Sequence, residues 1–290
     1  MKNIAFFGLG RMGLPMAKRL LAAGYSLRTS VHRNPAPAEE LRLLGAEILA
    51  SPREAVRGAE LIVAILPADR EIEELFLDSA VFEAVERGAA IIEMSTATPG
   101  CVRKVAARYA EKGVRFFDAP VSGGVKGAVE GTLTVIGGGD SSLLEELRPV
   151  LEHMAKKIFL VGDVGSGKAM KSINQIMVAS NTLVVAEALR YARGLGVDPE
   201  KMFETISAST GASAALTAKF HKMANEDFAP GFSLALMKKD LKIALSEAGE
   251  VPLPMITLAR QIYLMLGEEC DGEDYTVVST LFRDGRKSGT

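Results

Sequence analysis

Ile4-Ala5-Phe6-Phe7-Gly8-Leu9-Gly10-Arg11-Met12-Gly13 is the stretch whose reading decides the fold, and a helical run, Leu14–Leu21, follows it directly. A short apolar run leads into three glycines spaced GxGxxG, each with its own physical reason. The first makes a tight turn, the second lets a pyrophosphate approach the backbone, and the third lets the helix pack on the strand. The helix N-terminus adds N–H donors and a partial positive charge. Between a strand and a helix, this spacing predicts a dinucleotide-binding turn made by Gly8, Leu9, Gly10, Arg11, Met12 and Gly13. A second strand should end near Val31, where a site for an unphosphorylated ribose usually places Asp or Glu. Here the residues are His32-Arg33-Asn34. A guanidinium matches phosphate geometry, so the expected cofactor is NADP, held at its 2′-phosphate by Arg33, with NAD possible.

Outward from this turn, short apolar runs (Ile4–Phe7, Leu61–Leu66, Ala89–Met94, Leu133–Ile136, Ile158–Val161) alternate with helical patterns at Gly13–Ala23, Glu39–Leu44, Ile72–Val85 and Val102–Lys112. The alternation predicts βαβ units around a parallel sheet. After Gly167 the strand pattern stops. Lys168 to about Arg193 reads as one long helix, almost apolar all round and so expected to be buried. Helical segments follow at Glu200–Ala208, Ser213–Asn225, Leu234–Glu247, Ile256–Leu266 and Tyr275–Arg283. The expected architecture is α/β: a Rossmann domain over residues 1–162, then an all-α domain over 163–290, joined through the long helix.

The composition agrees with this and excludes other classes. At roughly 150 residues per domain, 290 residues favour two domains. Thirty-four basic and thirty-six acidic residues give a net charge of -2, without the basic excess of a nucleic-acid or membrane-surface binder. Cys101 and Cys270 stand in no metal or redox spacing, and His32, His153 and His221 form no ligand cluster, so no metal site is expected. No apolar run is long enough for a signal peptide or a membrane span, which makes a cytoplasmic protein the default. Glycine is the one skew: 19 of 28 fall in residues 1–167.

Gly162-Asp163-Val164-Gly165-Ser166-Gly167-Lys168-Ala169 almost matches a second phosphate-binding pattern, GxxxxGK[ST]. Ala169 takes the place of the hydroxyl that should bind magnesium, and no later strand ends in Asp to complete such a site. In the long helix the only charges between Ala169 and Ala192 are Lys171, Glu187 and Arg190. Asn174 and Gln175 share the helical face of Lys171 at i+3 and i+4. An ammonium flanked by two amides suits proton transfer beside an oxygenated substrate. Lys168, one turn earlier, competes for that role.

Four segments together resemble the β-hydroxyacid dehydrogenase family. They are Gly8–Ala17; Asp118-Ala119-Pro120-Val121-Ser122-Gly123-Gly124 with its continuation to Thr134; Gly165-Ser166-Gly167-Lys168-Ala169-Met170-Lys171-Ser172-Ile173-Asn174-Gln175; and Lys238-Lys239-Asp240-Leu241. Their order covers essentially the whole chain. The resemblance implies an NAD(P)-dependent oxidoreductase that interconverts a small 3-hydroxy acid and its semialdehyde. It implies Lys171, rather than Lys168, as general acid/base, and Ser122, Gly123 and Gly124 on the substrate carboxylate. Asn174, Gln175, Phe232 and Asp240 would contact substrate. Leu66, Pro67, Thr96 and Lys239 would lie at the cofactor. A homodimer or homotetramer is implied, with no nucleic-acid or membrane partner. The rival reading on the same fold is a non-catalytic dinucleotide-binding module. The chain departs from the family at Gln175, where many members carry a second Asn; at His32-Arg33-Asn34, where Asn-Arg-Thr is common; and at Glu93, where Asp is common. In the oxidative direction Lys171 must work below the ordinary lysine pKa of about 10.4, the direction in which burial moves it.

Overall fold

The computed structural model describes residues 1–283; residues 284–290, the tail of the second expected domain, lie outside the described residues. The chain divides into two compact units, Met1–Lys171 and the remainder from Ser172.

Unit 1 runs β1 (Asn3–Phe7), α1 (Gly13–Ala22), β2 (Ser26–Ser30), α2 (Ala36–Leu43), β3 (Glu47–Leu49), α3 (Pro52–Val56), β4 (Leu61–Ala64), α4 (Asp69–Phe76), α5 (Ser79–Ala84), β5 (Ala90–Glu93), α6 (Pro99–Ala110), β6 (Arg115–Asp118), β7 (Val121–Ser122), α7 (Gly124–Glu130), β8 (Leu133–Gly137), α8 (Ser141–Leu151), β9 (Ala155–Leu160) and the first turns of α9 (Ser166–Gly194). Six strands form a parallel sheet in the order β3-β2-β1-β4-β5-β6. This is the doubly wound dinucleotide-binding order, with its switch point at β1 and β4. A second sheet, β7-β8-β9, pairs β7 antiparallel and β9 parallel to β8, and an Asp118–Gly138 bridge joins it to the end of β6.

Both faces of the large sheet are covered, so its central strands are continuous apolar runs rather than alternating ones. Ile4, Phe6, Leu61, Val63 and Ile92 pack with Met16, Ala17 and Leu20 of α1 on one face. Ala5, Phe7, Ile62, Ala64 and Ile91 pack with Ile72, Phe76, Val102, Val105 and Tyr109 on the other. The period-two split between the faces is the pleat of the strands.

One expected helix is two. The pattern Ile72–Val85 breaks at Asp78, whose side chain accepts from the Val81 N–H at 2.9 Å and starts α5 afresh.

Unit 2 is helical over its described residues: the rest of α9, then α10 (Pro199–Ser207), α11 (Ala214–Ala224), α12 (Leu234–Ser246), α13 (Pro254–Leu264) and two 3₁₀ segments, Glu268–Cys270 and Tyr275–Phe282. The last of these replaces the α-helix expected at Tyr275–Arg283 and buries Tyr275, Val277 and Val278 among Ala179, Leu183, Met237, Leu241 and Tyr263. The long helix α9 is not buried all round. Met170, Met177, Val184 and Tyr191, spaced seven residues apart, are exposed along one stripe. Among the described residues no helix is long and apolar enough to cross a membrane, and no group of His, Cys, Asp and Glu is placed to hold a metal.

Candidate active site

In a parallel sheet every strand ends at the same edge, so the turns after β1, β2, β4 and β5 are neighbours there. They carry Gly8–Gly13, Arg33, Leu66-Pro67 and Ser95-Thr96. Two of the three motif glycines are demanded by the protein itself. A Cβ at Gly8 would collide with the Ile65 carbonyl, and one at Gly13 with the Gly8 carbonyl. Gly10 differs: a Cβ there would meet no protein atom within 4 Å. The turn's own packing gives no reason for glycine at position 10, whereas close approach of a pyrophosphate does. The start of α1 has no side-chain cap and no acidic residue in its first turn. Its N-terminal N–H groups therefore suit an anionic ligand.

The two lysines of the second glycine loop have different surroundings. Lys168 is buried on the first turn of α9, and its Nζ lies 2.6 Å from Glu93 Oε2, with neither side chain exposed. The same ammonium donates to the Glu93 and Ser95 carbonyls at 2.9 and 2.8 Å. Two carbonyl acceptors and one close carboxylate oxygen thus surround the ammonium. A lysine so engaged cannot reach the phosphates of a nucleotide, which removes the GxxxxGK reading. Asp118, at the end of β6, accepts from the N–H groups of Gly165 and Lys168 at 2.7 and 2.9 Å. Burial pushes the Asp118 carboxyl up, opposed by the Lys168 charge and those two donors. The carboxylate also explains two glycines: a Cβ at Gly138 would fall on Asp118 Oδ1, and one at Gly167 would lie 2.6 Å from Oδ2.

Lys171 follows Lys168 by three residues on α9 and is 7% exposed. Ser122 closes β7, and Gly123 and Gly124 turn into α7 with φ of +131° and +63°, angles that favour glycine.

Within unit 2, Asn174 donates to Gln175 Oε1 at 3.0 Å, and Gln175 Nε2 donates to Asp240 Oδ2 at 2.7 Å. Lys239 Nζ lies 3.2 Å from Asp240 Oδ1. A carboxylate that accepts from the Gln175 NH₂ fixes which way that amide points, and so where its oxygen is presented to Asn174. Four residues named from the sequence are thereby joined in one chain of polar contacts. Phe232, the fifth, is held by its backbone: its N–H and that of Gly231 donate to buried Asp274 Oδ2 at 3.1 and 3.0 Å, and its ring meets Tyr275 edge-on.

Asp274 and its partner Lys219, at 3.2 Å, carried no motif signal in the sequence. Burial acts to raise the Asp274 carboxyl, but the Lys219 charge, the Phe232 N–H and the Thr276 hydroxyl outweigh it and hold it below its ordinary 3.8. A depressed carboxylate adds stability above its unfolded pKa and loses it as pH falls through the lower folded value. Asp274→Asn is therefore expected to unfold at lower urea than the parent at pH 7, by about 1–3 kcal/mol. That gap should narrow as pH falls below 3.8. A gap that stays constant down to acid pH would mean the charge is not what Asp274 contributes.

Residues 3–162 match the model of the NAD-binding domain of 6-phosphogluconate dehydrogenase, and residues 165–281 that of the NAD-binding domain of NADP-dependent 3-hydroxyisobutyrate dehydrogenase. An NAD-dependent L-serine dehydrogenase of Pseudomonas aeruginosa is 37% identical, covering 97% of this chain and 98% of its own. A 2-hydroxy-3-oxopropionate reductase of Escherichia coli is 37% identical over 87% of this chain and 86% of its own. A solved structure of 3-hydroxyisobutyrate dehydrogenase from Mycobacterium tuberculosis, with L-serine, superposes with a TM-score of 0.91 at 35% identity, covering 98% of this chain and 99% of that one. With the glycine turn, the doubly wound sheet and the lysine helix, these matches place the chain in the β-hydroxyacid dehydrogenase family.

Proposed function

We propose that this chain is a nicotinamide-dinucleotide-dependent oxidoreductase that interconverts a small 3-hydroxy acid and its semialdehyde, with Lys171 as general acid/base. The observation that carries this reading is the commitment of Lys168 to Glu93 and Ser95, which supports Lys171 as the proton-transfer lysine of the motif. The open space at Gly10 and the uncapped start of α1 fit a dinucleotide pyrophosphate. When bound, the nicotinamide supplies a hydride to the aldehyde carbon in the reductive direction. The chain's own residues do the rest. Ser122 Oγ and the N–H groups of Gly123 and Gly124 bind the substrate carboxylate. Lys171 Nζ gives a proton to the carbonyl oxygen as charge develops there, and takes the hydroxyl proton in the reverse direction. Asn174 and Gln175, the latter fixed by Asp240, orient the oxygenated substrate. Phe232 and Asp240 contact substrate, and Leu66, Pro67, Thr96 and Lys239 the cofactor.

The test is a steady-state screen with NADPH and NADH against glyoxylate, succinic semialdehyde, tartronate semialdehyde and methylmalonate semialdehyde. Oxidation of the cofactor with at least one of these supports the reading. Dinucleotide binding without oxidation across the panel would instead favour a non-catalytic module.

Arg33, just beyond β2 where an acid would hold an unphosphorylated ribose, supports a preference for NADP. A hydrogen bond to a charged group contributes about 1.5–3 kcal/mol. Arg33→Ser is thus expected to raise the KM for NADPH roughly tenfold to a hundredfold and to leave NADH within about threefold. Equal effects on the two cofactors would remove Arg33 from the 2′-phosphate.

The exposed heptad stripe Met170, Met177, Val184, Tyr191 supports a homodimer or homotetramer in which a second copy covers α9. Light scattering should give at least twice the 30.9 kDa chain mass, and Met177→Glu/Val184→Glu should lower it. A monomeric parent protein would overturn this assembly.

A further inference from the structure

We infer that Glu93 and Lys168 are a positioning pair that sets Lys171 against the strand ends at the cofactor turns. The inference rests on the proposed role of Lys171. Its geometry lies wholly within unit 1. Glu93 Oε1 accepts from the Ser95 N–H at 3.0 Å and from the Ser95 hydroxyl. That hydroxyl in turn accepts from the Leu66 N–H at 2.6 Å. One carboxylate therefore ties the end of β5 to the turn after β4. Its other oxygen meets Lys168 Nζ, which also draws in the Glu93 and Ser95 carbonyls. Asp118 holds the same turn of α9 through the Gly165 and Lys168 N–H groups. The start of α9 is thus pinned by buried groups to the ends of β5 and β6, and through Ser95 to the turn after β4.

Lys171 sits three residues further along this helix, a rise of about 4.5 Å. A helix is stiff over one turn, so fixing the depth and rotation of Lys168 fixes those of Lys171. Hydride and proton transfer to one carbonyl need the lysine and the nicotinamide-bearing edge in a set relation, and displacements of about 1 Å can cost two orders of magnitude in rate. An ion pair without exposure is a weak source of net stability, because replacing both partners by uncharged groups is often neutral. Its geometric role is the one this placement favours.

Breaking one partner would strand a buried charge and risk unfolding, so the test uses the double variant Glu93→Gln/Lys168→Met. It is measured alone, beside Lys171→Ala, and combined with Lys171→Ala, each checked for folding by thermal melting. The double variant is expected to fold, to bind NADPH with unchanged Kd, to keep substrate KM within about threefold, and to lose roughly tenfold to a hundredfold in kcat. In the Lys171→Ala background the same two changes should have no further effect on kcat, because they act through that lysine. An unchanged kcat in the folded double variant overturns the positioning role, and so does an equal fold-loss in both backgrounds. If Lys171→Ala itself keeps parental turnover, the assignment of Lys171 falls, and positioning through it falls too. A double variant that does not fold shows the pair to be structural and overturns the proposal.

Discussion

Lys171→Ala should reduce kcat by about 10² to 10⁴, the range a positioned general acid/base supplies. At 1.36 kcal/mol per tenfold, this is about 2.7–5.5 kcal/mol of transition-state stabilisation. NADPH should bind the variant with the parental Kd, since Lys171 belongs to α9 and not to the glycine turn or α1. KM should move less than kcat, because the proton is needed in the transition state rather than in the bound ground state. Lys171→Arg should fail to restore turnover although it keeps the charge, since a guanidinium does not give up its proton near neutral pH. That second variant separates proton transfer from simple electrostatic attraction of the substrate. Turnover near the parental level in Lys171→Ala would end the assignment, as would full recovery in Lys171→Arg.

The choice between the two lysines shows where reading the sequence stops. Local periodicity and glycine spacing are enough for β1, β4, β5, α1 and the long helix, because apolar runs and a GxGxxG turn are properties of neighbouring residues. They place Lys168 and Lys171 on one helix but do not separate their roles without the family resemblance. What differs in the structure is the surroundings of Lys168, set by a partner 75 residues away: Glu93, whose carbonyl and carboxylate hold it. No local pattern announces such a pairing. Glu93 stood out only as a departure from the family's usual Asp, and Asp118 only as the first residue of a recognisable segment. The Asp274–Lys219 pair, 55 residues apart, left no sequence trace at all. Periodicity also tells which residues share a helix face, not what covers that face. The apolar α9 therefore reads as buried, although Met177, Val184 and Tyr191 are exposed on it. The break between α4 and α5 was legible in principle, since Asp78 three residues before Val81 is an ordinary N-cap signal inside an otherwise continuous amphipathic run.

Gly10→Ala and Gly13→Ala make the same chemical change three residues apart and should have opposite consequences. At Gly13 the new methyl would fall on the Gly8 carbonyl, with the Ile65 side chain 2.8 Å away, so backbone has to move. Overpacking of this kind costs about 1–3 kcal/mol, and more where the neighbour is backbone. The expected result is a clear drop in melting temperature, with cofactor affinity lost as the turn distorts. At Gly10 the methyl meets no protein atom within 4 Å, and the backbone there is not in the left-handed region. Melting temperature should therefore hold or rise slightly, because alanine restricts the unfolded chain more than glycine does. Dinucleotide affinity should fall by at least about tenfold, since the methyl occupies the approach of the pyrophosphate. Fluorescence titration of NADPH together with thermal melting of both variants reads the contrast. If Gly10→Ala binds NADPH as the parent does, the turn does not hold the pyrophosphate at this glycine. If it loses stability as Gly13→Ala does, position 10 is glycine for packing, and the open space around it carries no functional meaning.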